Sequence, residues 1–72
     1  MANYTMTSKE QSMLNDVLST EKLLMSKYQA YSNQLQDPNL KSLFQQMSTQ
    51  SQQNTQSITQ LFSQAGISPA NQ

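Results

Sequence analysis

The sequence predicts an all-α protein, an antiparallel hairpin of two helices that dimerises into a four-helix bundle. Apolar residues recur at alternating three- and four-residue spacing in two long segments, which is typical of helices with one buried face. No glycine interrupts either segment, and Asp37-Pro38 separates them. The 72 residues include no cysteine for a disulfide and no histidine to help bind a metal, so we expect this small chain to gain stability by self-association.

The first helix is expected over about residues 8–35. Thr7-Ser8-Lys9-Glu10 fits a capping box, in which the threonine and glutamate side chains each bond the other residue's backbone N–H. Leu18 and Met25 widen the apolar stripe that follows. The stripe itself consists of Leu14, Val17, Leu24, Tyr28, Tyr31 and Leu35.

The second helix is expected over about residues 38–65. Aspartate is a good N-cap and proline suits the first helical position, so Asp37-Pro38 ends one helix and begins the next. Its inward positions are Leu40, Phe44, Met47, Ser51, Asn54, Ile58, Leu61 and Ala65. The polar stretch 45–60 would read as disordered by composition, but it keeps the register of its apolar flanks, which favours one continuous helix.

A glycine ending completes the predicted domain. Gly66 supplies the left-handed residue of a Schellman ending, with Ile67 folding back on Leu61 or Phe62. The domain organisation is therefore an N-terminal tail at 1–6, a helical-hairpin domain at 7–67 and a C-terminal tail at 68–72.

Polar residues occupy inward positions halfway along both helices. Folding the chain near Asp37 brings Glu21 to the height of the middle of helix 2, and we predict one polar core layer. Its members are Glu21, Gln50, Ser51 and Asn54. Two alternatives stay open: Glu21 lies at the edge of the stripe and reaches water, or the layer is a metal or catalytic site. The predicted dimer and core packing residues are Leu14, Val17, Leu24, Tyr28, Tyr31, Phe44, Met47, Ile58 and Leu61.

The charge pattern favours neither nucleic acid nor membrane as a partner. The net charge is zero and every charged residue lies at or before Lys41, so no basic stripe is present. No apolar run approaches the roughly 18 residues of a membrane span, and residues 1–7 lack the pattern of a secretion signal. No catalytic or cofactor-binding motif stands out, so we predict a protein that is not an enzyme and uses no cofactor or metal.

Two segments resemble a known family. "LSTEKLLMSKY" (Leu18 to Tyr28) followed by "DPNLKSLFQQM" (Asp37 to Met47) resembles the Coat F family of bacterial spore coat proteins. The resemblance implies a ferritin-like helical bundle, an inward glutamate matched by Glu21, and a place in the spore coat or the mother-cell cytoplasm during sporulation. Longer members of the family have two such hairpins, which implies that this single hairpin pairs with a copy of itself.

The resemblance implies a structural role, with other spore coat proteins as further partners. Family members often carry acidic or histidine residues midway along helix 2, where this chain has Gln50, Ser51 and Asn54. A degenerate metal-binding protein that uses Glu21 from two subunits is the first alternative. A helical adaptor that offers its Leu14 to Leu35 stripe to a different protein is the second.

Overall fold

The structure, a computed structural model, describes residues 4–69 and shows an antiparallel two-helix hairpin. Helix α1 spans Ser8–Gln34 and helix α2 spans Pro38–Gln64, each 27 residues long, with no strand in the described region. The hairpin measures 47 × 18 × 16 Å. The predicted all-α hairpin is confirmed, with both helices ending one residue earlier than expected. Residues 1–3 and 70–72 of the two expected tails lie outside the described residues.

Side-chain caps determine where each helix begins. At α1 the Thr7 hydroxyl accepts a hydrogen bond from the Glu10 backbone N–H at 3.1 Å, and the Glu10 carboxylate accepts one from Thr7 N–H at 2.9 Å. This is the predicted capping box. At α2 the Asp37 carboxylate accepts from the N–H groups of Asn39 at 2.8 Å and Leu40 at 3.2 Å. Both caps satisfy backbone donors that no helical carbonyl reaches.

A Schellman ending closes α2, as the sequence predicts. Gly66 has a φ of 71°, and its N–H donates to the Ser63 carbonyl at 3.0 Å. The Ile67 N–H donates to the Phe62 carbonyl at 2.9 Å. The chain therefore turns back, and the Ile67 side chain packs against the apolar core.

The apolar core of the single hairpin is small and lies away from the turn. Leu18 and Phe62 are completely buried and Ile58 is 9% exposed; these are the buried hydrophobic side chains of residues 4–69. Near the turn, the Phe44 ring instead makes edge contacts with Tyr28 and Tyr31 at centroid distances of 6.1 and 6.2 Å. From the sequence, Leu18 only widens the apolar stripe and Phe62 only receives Ile67, because apolar spacing does not determine which part of a stripe meets the neighbouring helix.

Three buried serines lie where the helices approach each other. Ser32, Ser48 and Ser51 are 2%, 6% and 4% exposed. The Ser48 hydroxyl donates to the Met25 carbonyl across the hairpin at 3.4 Å. Small side chains let two helices pack closely, so these serines help to decide which faces of α1 and α2 meet. In the described region, no helix has an apolar stretch long enough to cross a membrane.

A polar layer and an apolar face as the candidate site

A chain of hydrogen bonds crosses the hairpin at half its length. The Asn54 side-chain amide donates to Glu21 Oε2 at 3.0 Å, and the Gln50 amide donates to Asn54 Oδ1 at 3.0 Å. Glu21 is the central residue of α1, and α2 folds back so that Asn54 reaches the same height. The structure thus brings together three of the four predicted layer residues through direct bonds, while Ser51 is buried beside them.

Glu21 is only partly satisfied within this chain of bonds. Its Oε1 is buried and accepts no hydrogen bond from the described residues, while Oε2 accepts the bond from Asn54. The side chain as a whole is half-buried, so it neither extends freely into water nor lies in a closed core. When an ionised carboxylate is removed from water and meets too few hydrogen-bond donors, nothing compensates for the hydration that it loses. The layer therefore has unused capacity to accept a hydrogen bond.

The predicted packing residues fall into three classes of exposure. Ile58 is buried, and Val17 and Tyr31 are 45% and 44% exposed. The half-buried members are Leu14, Leu24, Tyr28, Phe44, Met47 and Leu61. Within one hairpin Val17 and Tyr31 are therefore only partly covered, although Tyr31 contacts Phe44, and their role in a dimer stays a prediction.

A polar groove marks one of the two broad sides of the hairpin. It has a volume of about 390 Å³ and lies between the helices, with Ser32 and Ser48 among its lining residues. Its other lining side chains also carry amides or hydroxyls: Gln29, Asn33, Gln45, Thr49 and Gln52. Because both helices contribute lining residues, the groove shows which side of α1 and which side of α2 form the same broad side of the hairpin.

The opposite broad side carries a row of incompletely buried apolar side chains, which we call the apolar face. Helical geometry places its members on the other side of α1 and α2 from the groove. They are Met13, Val17, Leu24, Tyr31, Leu43, Met47 and Leu61. An apolar groove of about 250 Å³, lined by Tyr4, Glu10, Met13, Leu14 and Val17, lies at the end of this face away from the turn. The polar layer lies at half its length.

Met13 and Leu43 are the members that the sequence analysis did not place at packing positions. They are 57% and 47% exposed. Met13 lies four residues before Val17, and Leu43 lies four residues before Met47, so each extends the predicted stripe of its helix by one position. This four-residue spacing is the signal that would have identified them.

The acidic side chains do not form a metal centre within one chain. Among residues 4–69, no group of three or more His, Cys, Asp or Glu lies close enough to hold an ion. The layer offers one carboxylate and two neutral amides, and cation affinity depends on the number of charged ligands, so these side chains make a poor site. The arrangement favours hydrogen bonding and packing.

Comparison with known proteins gives one assignment. A family model described as the Coat F domain matches residues 9–71, nearly the whole chain. No curated protein and no solved structure gives a significant match.

Proposed function

The chain belongs to the Coat F domain family of bacterial spore coat proteins, and on that premise we propose that it is a small structural component of the spore coat. It assembles through helix packing, first as a homodimer in which two hairpins form a four-helix bundle. Other spore coat proteins are its further partners in the coat, and it passes through the mother-cell cytoplasm before it reaches them.

The apolar face is the observation that supports self-association. Val17, Tyr31 and Leu43 are each more than 40% exposed, whereas the buried hydrophobic core of the described residues consists of three side chains. Fully burying a large apolar side chain contributes about 1.5–3 kcal/mol, so covering the exposed part of this face would add to the stability that the small core provides. The absence of cysteine removes the disulfide as an alternative reinforcement.

Sedimentation equilibrium tests the homodimer. The variant Val17→Lys/Leu43→Lys places one charge on each helix of the apolar face, and Leu23→Lys/Gln52→Lys adds the same charge at exposed positions elsewhere. We expect the wild type and the Leu23/Gln52 variant to be dimers at low micromolar concentration. The Val17/Leu43 variant should be a monomer, because burying an unpaired ammonium is costly.

Two results would contradict this proposal, the first by excluding self-association and the second by excluding the apolar face as the interface. A wild type that remains monomeric at high micromolar concentration would favour the adaptor alternative, in which a different protein covers the apolar face. Equal dissociation of both double variants would show that the added charge, and not its position, weakens the assembly.

Fractionation of spores tests the role in the coat. Purified spores of the producing bacterium are extracted with detergent and reductant, and the coat extract is probed with an antibody to this chain. We expect to detect the chain in the coat extract and not in the spore material that remains after extraction. Its presence only in growing cells would contradict a role in the coat.

A further inference from the structure

We infer that the two copies in the dimer are related by a two-fold axis parallel to the helices, so that α1 of each copy packs against α2 of its partner. This inference rests on the proposed homodimer and specifies its geometry. It also assigns the partner's Gln50 as the group that completes the hydrogen bonding of Glu21.

Two symmetric arrangements bring the apolar faces together. With a two-fold axis parallel to the helices, each α1 lies beside the partner's α2. With an axis perpendicular to the helices, α1 lies beside the partner's α1 and α2 beside the partner's α2. Both arrangements are closed dimers that use the same patch on each copy.

The position of Glu21 disfavours the perpendicular axis. Because Glu21 is the central residue of α1, that axis brings the two Glu21 side chains to the same height on neighbouring helices. Each carboxylate is half-buried, and one of its oxygens is buried without a hydrogen-bond donor among residues 4–69. Two like charges that share a water-poor site repel each other. Shifting one copy along the helix axis relative to the other would relieve the repulsion, but it would leave apolar side chains uncovered at both ends of the dimer.

The parallel axis places Glu21 against a part of α2 that has no charged side chain. No residue after Lys41 carries a charge, so almost the whole of α2 consists of apolar, amide and hydroxyl side chains. Rotation about a parallel axis does not change height, so the partner's Gln50 arrives at the level where Gln50 and Asn54 already meet Glu21 in each copy. The Gln50 amide donates one N–H to Asn54 and has a second to offer.

The exposed apolar side chains also match in this arrangement. Phe44 contacts Tyr31 within one hairpin, which shows that the neighbouring Leu43 lies at nearly the height of Tyr31. The parallel axis therefore brings Tyr31 close to the partner's Leu43. By the same register, Met13 lies close to the partner's Leu61, at the other end of the bundle. Each end of the apolar face is thus covered by apolar groups.

Cysteine cross-linking distinguishes the two axes, and the native chain has no cysteine to interfere. Leu24→Cys and Gln50→Cys are prepared as separate chains of different mass, mixed under reducing conditions and then oxidised. With the parallel axis these positions are neighbours across the dimer. The disulfide between the two different variants (the unlike disulfide) should therefore exceed the disulfide between two copies of either variant (a like disulfide) several-fold. With the perpendicular axis, position 50 of one copy lies near position 50 of its partner, so two Gln50→Cys chains should cross-link to each other.

Controls separate this inference from the proposed dimer. The pair Leu23→Cys and Gln52→Cys, away from the apolar face, reports the background of random collisions. A second pair, Tyr31→Cys and Leu43→Cys, tests the same geometry if circular dichroism shows that a first variant is not helical. Monomeric reduced chains in sedimentation would overturn the dimer itself. Dimeric chains that mainly give the Gln50→Cys like disulfide would overturn only the parallel axis.

Discussion

Leu18 is the residue of α1 on which the packing of a single hairpin depends most. It is completely buried and meets Phe62 and Ile58 of α2 in the small core. Five residues along the same helix, Leu23 is 58% exposed. The two leucines therefore allow one side-chain change to be compared in a buried and an exposed position of the same helix.

We expect Leu18→Ala to lower the free energy of unfolding by about 3 kcal/mol, because it leaves a cavity in a core with few other contacts. Leu23→Ala should change it by less than about 0.5 kcal/mol. Urea denaturation followed by circular dichroism, at one fixed chain concentration, measures both. Similar losses in the two variants would mean that Leu23 is covered in the assembled protein.

We expect Asn54 to contribute to stability mainly through its hydrogen bond to Glu21. Asn54→Ala removes the hydrogen bond to Glu21 Oε2 and leaves a half-buried carboxylate without it. We expect a loss of about 1–3 kcal/mol in the wild type and a much smaller loss in a Glu21→Leu background. A double-mutant cycle by urea denaturation measures this difference. Equal losses in both backgrounds would mean that the bond contributes nothing to stability.

For each helix, the sequence predicts where the helix begins and ends more completely than it predicts which face is buried. Thr7, Asp37 and Gly66 act through bonds to backbone groups a few residues away, so their effect is readable locally. Which side of a stripe meets the other helix depends on contacts such as that between Ser48 and Met25, 23 residues apart. Spacing alone carries no information about such contacts, which is why Leu18 and Phe62 were not placed at the centre of the core.

The same distinction applies to the polar layer. Glu21 and Asn54 could be placed at one height by counting residues from Asp37, since both helices rise equally per residue. Counting could not show that Glu21 Oε1 would be buried without a hydrogen bond from the described residues, because that depends on side-chain rotamers.

We expect the N-cap of α2 to depend on the Asp37 oxygen and not on its charge. Asp37→Ala removes the acceptor for the N–H groups of Asn39 and Leu40, and should cost about 1 kcal/mol. Asp37→Asn keeps an oxygen in place and should cost clearly less. Thermal unfolding of the two variants provides the comparison. An equal cost for both would assign the effect to the charge near the helix N-terminus.

For the whole molecule, the one-sided charge distribution predicts an assembly that responds weakly to salt. In the inferred dimer each α1 packs against an α2 that has no charge after Lys41, so few charge pairs span the interface. Raising the salt concentration from about 0.1 M to 1 M shortens the screening length from about 10 to 3 Å. We expect the dimer dissociation constant from sedimentation to change by less than about tenfold. A larger weakening would mean that ion pairs hold the copies together.

The equal length of the two helices determines a dimension of anything built from this protein. With 27 residues in each helix and a rise of about 1.5 Å per residue, both helices measure about 40 Å and end level with each other. Hairpins packed side by side would form a flat array of uniform thickness, equal to the length of one helix. The number of residues in each helix would determine that thickness, and inserting a helical turn in both helices would increase it by about 5 Å.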